Sequence, residues 1–366
     1  MTEPEASQAE SEARPLGDPA PVLIIGAGLI GTSIGLALAE QGVATHLSDA
    51  TPSHALVAAG LGAGLVDPPD QVGLVIVAVP PAVTAAVVVQ ALRDYPAATV
   101  TDVASVKAPI LARVRAAGAD LGRYVGSHPM AGSHRTGPLT ARADLFRDRT
   151  WVIAVHPQIE PDRLRAVQAI AETCQARLEL MDPVEHDQAV AEISHVPQIL
   201  SSLLAGDLTG LAPAHLRLAG QGVRDVTRIA ASDEAMWTQI TLANQTAIGA
   251  QLARLAATLD QVRSQLDSPD QVAEFFRLGV EGTKALPGKH GRSGLDYEHV
   301  VVEIPDSPGA LARLFADVDA AGANVEDLAI EHDAGREVGY LAIAVEATKA
   351  ASLAEAIAQA GWTLRL

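Results

Sequence analysis

The rhythm of apolar and polar positions changes twice along this chain. From Pro21 short apolar runs alternate with Ala-rich amphipathic stretches: "PVLIIG", then "TSIGLALAEQG" closed by Gly42, then "VATHLSD". "GLVIVAVP" (Gly73 to Pro80) and "ATVTDVAS" (Ala98 to Ser105) follow with a helical stretch between them, and "RYVGSHP" and "TWVIAVHP" complete the series. Strands alternating with helices at this spacing predict an α/β domain with a mainly parallel, doubly wound sheet over residues 20–181. After Asp182 the apolar spacing becomes helical, and Asp182 followed by Pro183 makes an N-cap and first-turn pair. Residues 182–284 therefore read as an all-α domain. Its apolar positions exceed what one bundle buries, which predicts a homodimer through these helices. A Gly- and Lys-rich linker, residues 285–297, leads to a last segment, 298–366, patterned strand, helix, strand, strand, helix, strand. That order is the ferredoxin-like α+β plan. Residues 1–19 are acidic and rich in Ala and Pro, and read as a disordered tail without the apolar stretch of a secretory signal.

Composition narrows the function. With 44 acidic against 26 basic residues the net charge is -18, which argues against nucleic acid or an anionic membrane as partner. A small anionic substrate needs only a local cationic pocket. Aromatic residues make up 3%, so Val, Leu, Ile and Ala build the cores. The single cysteine, Cys174, excludes an intramolecular disulfide and a cysteine-rich metal site, and fits a cytoplasmic protein. No apolar run reaches the length of about 18 residues that a membrane span needs.

The first chemical signal is "GAGLIG". Gly26, Gly28 and Gly31 form G-x-G-x-x-G between a predicted strand and a predicted helix, with Leu29 and Ile30 filling the last interval. The first glycine allows the tight turn, the second lets backbone approach a pyrophosphate, and the third lets the helix pack on the strand. Asp49 closes the next strand, placed for the ribose hydroxyls of the cofactor. No Arg or Lys lies close to it in sequence, which favours NAD over NADP.

The second signal is "GSHPMAGSH", where His128 ends a strand of the same sheet and His134 lies at the far end of the loop. A neutral imidazole at a strand's carboxyl end is placed to take a hydroxyl proton while hydride leaves the same carbon; packing is the alternative role. "DVASVK" sets Ser105 and Lys107 on the same rim. Ser105 orients a histidine or a substrate hydroxyl there, or caps the next helix. In the helical region "GQGVRDVTRIAASDEAMW" holds Arg224, Asp225, Arg228 and Trp237. The two arginines, four apart on a helix, either grip a carboxylate or pair with Asp225 at the surface. "EISHVPQ" adds His195 beside a proline that interrupts a helix. From the residues alone the chain reads as an NAD-dependent oxidoreductase acting on a substrate with a hydroxyl and a carboxylate.

"GAGLIGTSIGLAL", "DVASVK", "SHPMAGSH", "ISHVPQ" and "RDVTRIAASDEAMW" resemble, in order, the motifs of the prephenate/arogenate dehydrogenases of tyrosine biosynthesis. The tail from "VEIPDSPGAL" resembles an ACT domain, an amino-acid-sensing module. The resemblance implies a Rossmann-like domain, an all-α dimerisation domain and an ACT domain. It implies NAD-dependent oxidative decarboxylation of prephenate to 4-hydroxyphenylpyruvate, with His128 accepting the ring hydroxyl proton and Ser105 orienting it. Arg228 would bind a substrate carboxylate, and His195, Asp225 and Trp237 would line the pocket. Asp306, Gly309 and Asn324 would hold an aromatic amino-acid effector. Where many members read SH-x-PH, this chain has Gln198, which bears on prephenate against arogenate. Two other functions compete. A β-hydroxyacid dehydrogenase would use a lysine in the helical domain, and none lies between Asp182 and Gln271. A non-catalytic NAD-binding sensor would bind cofactor without turnover.

Overall fold

The computed structural model describes residues 21–286 and 297–365, apart from residues 68, 70, 133–135, 306 and 333–337. The predicted acidic tail, most of the linker, His134 and Asp306 lie outside the described residues. The chain divides into two compact units, Met1–Leu255 and Ala256–Leu366.

In the first unit, β1 (Val22–Ile25), α1 (Leu29–Glu40), β2 (Thr45–Ser48), α2 (Pro52–Gly60), β3 (Leu74–Val77), α3 (Pro81–Asp94), β4 (Thr99–Asp102) and α4 (Ala108–Ala116) alternate as the pattern predicts. Then come β5 (Tyr124–Pro129), β6 (Thr150–Ala154), α5 (Pro161–Thr173) and β7 (Arg177–Met181). They form one sheet in the order β2-β1-β3-β4-β5-β6-β7. The central strands are buried on both faces, so their sequences are continuous apolar runs. Ile24 and Ile76 point into a core shared with Ile34 and Leu38 of α1 and Ile170 of α5. Val75, Val77 and Val100 point the other way, onto Val88 and Leu92 of α3 and Ile110 and Val114 of α4.

The sheet is mainly parallel as expected, with one reversal and one strand the pattern does not predict. β6 pairs antiparallel with β5, while the other neighbours are parallel. Parallel pairing needs a crossover, usually an α-helix. The β5–β6 connection holds only a 3₁₀ turn at Pro138–Thr140 among its described residues, so the chain folds straight back. The pattern also missed β7, "RLELM", an edge strand whose exposed charged residues hide its alternation.

Asp182 caps α6 (Pro183–Val190) as its position predicts, accepting from the amides of Val184 and Glu185. A π-turn at Ala191–His195 joins α6 to α7 (Val196–Asp207). Pro197 has no amide to donate back into the preceding turn, and the widened turn absorbs this without breaking the helix. The unit continues with α8 (Pro213–Leu216), α9 (Gln221–Thr227), a 3₁₀ turn at Arg228–Ala230 and α10 (Glu234–Ala243). It ends within α11 (Gln245–Ser264). Leu203, Leu218 and Leu242 are 67%, 83% and 64% exposed in the single chain, apolar surface of the kind a second copy covers.

The second unit holds the end of α11, α12 (Pro269–Lys284), β8 (Tyr297–Pro305), α13 (Ala310–Ala320), β9 (Asp327–His332), β10 (Val338–Glu346), α14 (Ala347–Gln359) and β11 (Thr363–Arg365). Its four strands form a small antiparallel sheet in the order β11-β8-β10-β9. Val302, Leu341 and Ile343 pack against Leu314 of α13 and Leu353 and Ile357 of α14. Among the described residues no helix is long and apolar enough to cross a membrane.

Candidate active site

At the β1–α1 turn the three glycines do separate jobs. Gly26 has φ 108°, and a Cβ there would lie 2.2 Å from the Ala78 carbonyl oxygen. A Cβ on Gly31 would lie 1.9 Å from the Gly26 carbonyl oxygen, so α1 closes directly onto the strand. A Cβ on Gly28 would meet nothing within 4 Å. The space in front of α1 is thus open where the helix has no side-chain cap. Uncapped amides at a helix N-terminus bind an anion. Leu29 and Ile30 form the first turn of α1. At the end of β2, Asp49 accepts from the amides of Ala27 and Thr51, both at 2.7 Å, and lies 3.6 Å from His54 Nδ1. Each carboxylate oxygen keeps a lone pair for a ribose hydroxyl. This cradle fits a dinucleotide.

His128 sits near the carboxyl end of β5, half-buried. Its Nδ1 lies 2.9 Å from His186 Nε2, and the two rings meet edge to face with centroids 5.1 Å apart. His186, on α6 and buried, directs its own Nδ1 at the Asp187 carboxylate, 2.8 Å away. That carboxylate also accepts from the backbone amides of Lys107 at 2.8 Å and Ala108 at 2.9 Å, so it caps α4 from another segment. Acceptance at Asp187 puts a proton on His186 Nδ1 and leaves Nε2 to accept. His128 therefore donates from Nδ1 and presents an unprotonated Nε2. Burial holds the His128 imidazole well below its usual pKa, and the charges of His186, Lys107 and His195 push the same way. It stays neutral at ordinary pH. The family resemblance implies Ser105 as the residue that orients His128; its imidazole partner in the fold is His186. Ser105 Oγ is buried without a hydrogen-bond partner among the described residues.

Lys107 lies below this rim, 1% exposed. Its ammonium pairs with Asp102 and donates to the Ser127 carbonyl, 2.5 Å away. Burial lowers its pKa and Asp102 opposes the shift. Tyr124 donates to the other Asp102 oxygen at 2.7 Å, and burial pushes its phenol well up. These bonds fix the strand end that carries His128.

The π-turn brings in a third histidine. His195 is buried, and its Nδ1 faces the Asn244 amide at 3.1 Å. Asn244 also donates to the Asp187 carbonyl at 2.7 Å, so His195 and the Asp187 segment share one anchor. Burial pushes the His195 imidazole down to about 4, with His186 adding and Asp187 opposing. Trp237 meets its ring edge-on, centroids 6.1 Å apart. One turn further on, buried Gln198 donates to the Ile229 carbonyl at 2.9 Å and so holds the turn that carries Arg228. Arg224 and Arg228 are exposed, and α9 ends between them at Thr227, so no single helix face presents both. Asp225 accepts from Gln221 at 2.8 Å rather than pairing with either arginine.

Of the expected effector residues, Gly309 has φ 85° at the start of α13, and exposed Asn324 donates to Glu326 at 2.7 Å. Sequence reading missed His186, Asp187 and Asn244. The adjacent "HD" on a predicted helix was the one local signal, and nothing near it in sequence indicates His128.

The chain matches two family models: "Prephenate dehydrogenase, nucleotide-binding domain" over residues 34–180, and "Prephenate dehydrogenase, dimerization domain" over residues 182–278. It is 37% identical over 317 residues to the Streptomyces niveus protein named "Probable prephenate dehydrogenase NovF", covering 82% of this chain and 87% of that one. The fold is similar to that of prephenate dehydrogenase from A. aeolicus, solved with hydroxyphenyl propionate and NAD+. The TM-score is 0.67 at 23% identity, covering 74% of this chain and 99% of that one. It is also similar to Synechocystis arogenate dehydrogenase, with a TM-score of 0.62 at 25% identity over 72% and 97% of the two chains. The motif order, the paired domain models and this identity lead to one conclusion: the chain belongs to the prephenate dehydrogenase family.

Proposed function

We infer that this protein is an NAD-dependent prephenate dehydrogenase, which oxidises and decarboxylates prephenate to 4-hydroxyphenylpyruvate in tyrosine biosynthesis. The observation that carries the reading is His128: neutral, tethered through Nδ1, and offering Nε2 at the carboxyl end of a strand in a dinucleotide-binding sheet. Bound NAD supplies the hydride acceptor. The Gly26–Gly31 turn, with Leu29 and Ile30, takes its pyrophosphate and Asp49 its adenosine ribose. His128 Nε2 accepts the ring hydroxyl proton as hydride leaves the same carbon and the C–O bond becomes a carbonyl. The ring carboxylate departs as carbon dioxide, its bond pair enters the ring, and the oxygen recovers the proton as a phenol. The buried Ser105 hydroxyl, which has no hydrogen-bond partner among the described residues, orients the substrate hydroxyl. Arg228 grips a carboxylate two-point fashion, while His195, Asp225 and Trp237 line the pocket.

Residues 20–181 serve as the NAD domain, 182–284 as the substrate and dimerisation domain, and 298–366 as an ACT regulatory domain. The antiparallel sheet with two helices over β8–β11 supports the last assignment. An aromatic amino acid bound near Gly309 and Asn324 inhibits turnover. Calorimetry on the full chain with tyrosine and phenylalanine tests that; no heat and no inhibition refutes it. Arogenate, with an amine in place of the keto group, is the second substrate reading, and Gln198, standing where an imidazole is common, bears on the choice between the two. NADH formation, followed separately with prephenate and arogenate and with NAD and NADP, tests the function. Turnover of prephenate with NAD is the expected result, and cofactor binding without turnover of either acid leaves the sensor.

A further inference from the structure

Asp187, His186 and His128 form an unbroken carboxylate–imidazole–imidazole chain with links of 2.8 and 2.9 Å. His186 and Asp187 are 1% and 4% exposed. Asp187 is itself fixed by two backbone amides of the α4 N-terminus, and Asn244 holds its carbonyl. A base that merely needed steadying would be served by one hydrogen bond to a backbone carbonyl. Here its partner is a second base, backed by a carboxylate.

We propose that His186, held by Asp187, is a positioning residue that keeps His128 in its Nδ1–H form and stores the substrate's hydroxyl proton charge while hydride departs. The proposal rests on the prephenate dehydrogenase reading. As the hydroxyl proton reaches His128 Nε2, the His128 Nδ1 proton crosses to His186 Nε2, and the positive charge settles beside the Asp187 carboxylate. When the C–CO2 bond breaks and its electron pair aromatises the ring, the oxygen takes a proton back from His128 Nε2. The His186 Nε2 proton returns to His128 Nδ1. Atoms and charge balance without an external acid or base, because the phenol regains the proton that the alcohol lent. No exit to solvent is needed, which agrees with the burial of His186 and Asp187.

His186→Gln separates holding from storing. The glutamine carbonyl oxygen accepts from His128 Nδ1 and keeps the tautomer, yet takes up no proton. The expected result is a fall in kcat of about 100-fold with KM for prephenate and Kd for NAD within about two-fold of wild type. Single-turnover NADH formation in H2O–D2O mixtures should give a bowed proton inventory for wild type, from two moving protons, and a straight one for His186→Gln. A straight wild-type inventory, or a variant kcat close to wild type, overturns the storage role. Should the variant fail to bind NAD, or wild type fail to turn over prephenate, the 15N imidazole spectrum of the NAD-loaded wild-type protein decides. A proton on Nδ1 of both histidines supports the chain, and one on Nε2 of His128 overturns it. Failure of wild-type turnover alone strikes the prephenate reading, not the chain.

Discussion

The side chains around His128 and those around Arg228 contrast in construction. His186, Asp187, Lys107 and Asp102 are buried and hydrogen-bonded to one another across three segments. Arg224, Asp225 and Arg228 are exposed, on a short helix and a 3₁₀ turn anchored by Gln198. The difference fits the role proposed for each region. A base must offer one nitrogen, in one tautomer, at one place, and only a dry, fully satisfied network fixes that before substrate arrives. A guanidinium that captures a carboxylate works from solvent, because it is charged throughout the accessible pH range and needs only reach.

Substitutions on the two sides should separate cleanly. His128→Asn has the largest expected effect, a loss in kcat of about 1,000-fold with NAD affinity unchanged, read by NADH formation and calorimetry. A kcat close to wild type removes the base assignment. Lys107→Met leaves Asp102 buried without its cation and should cost about 3 kcal/mol in urea unfolding. A loss of a few tenths would mean that the network around His128 is no tighter than the surface. Arg228→Ala should raise KM about ten-fold at nearly constant kcat and constant unfolding midpoint. An equal fall in kcat would move Arg228 from capture to chemistry.

The smallest effect is on stability against pH. A buried histidine whose folded pKa is depressed favours folding only while neutral. The His195 contribution is therefore complete above about pH 6.5 and declines as pH falls toward about 4. Urea midpoints across that window should fall, and His195→Asn should flatten the slope. An unchanged slope would show that His195 is not desolvated in solution.

The sequence by itself determined what local sterics encode. Gly26 is required by a positive φ, and the Asp182–Pro183 cap by the geometry of a helix start; both rest on neighbouring atoms. His128 was legible for a related reason: the end of a strand in such a sheet is a place where ligands bind. The tertiary structure decided which residue holds His128. His186 lies 58 positions from His128, and Asp187 lies 80 from the amide it caps, so no periodicity links them. It also placed Asn244 between His195 and Asp187, and showed that a π-turn, not a break, absorbs Pro197. β7 and the reversal at β6 were hidden because an exposed edge strand carries no continuous apolar run, and because strand direction depends on the connection, not on the strand. Local backbone preference is written in consecutive residues, whereas the partner of a buried polar group is chosen by packing between distant segments.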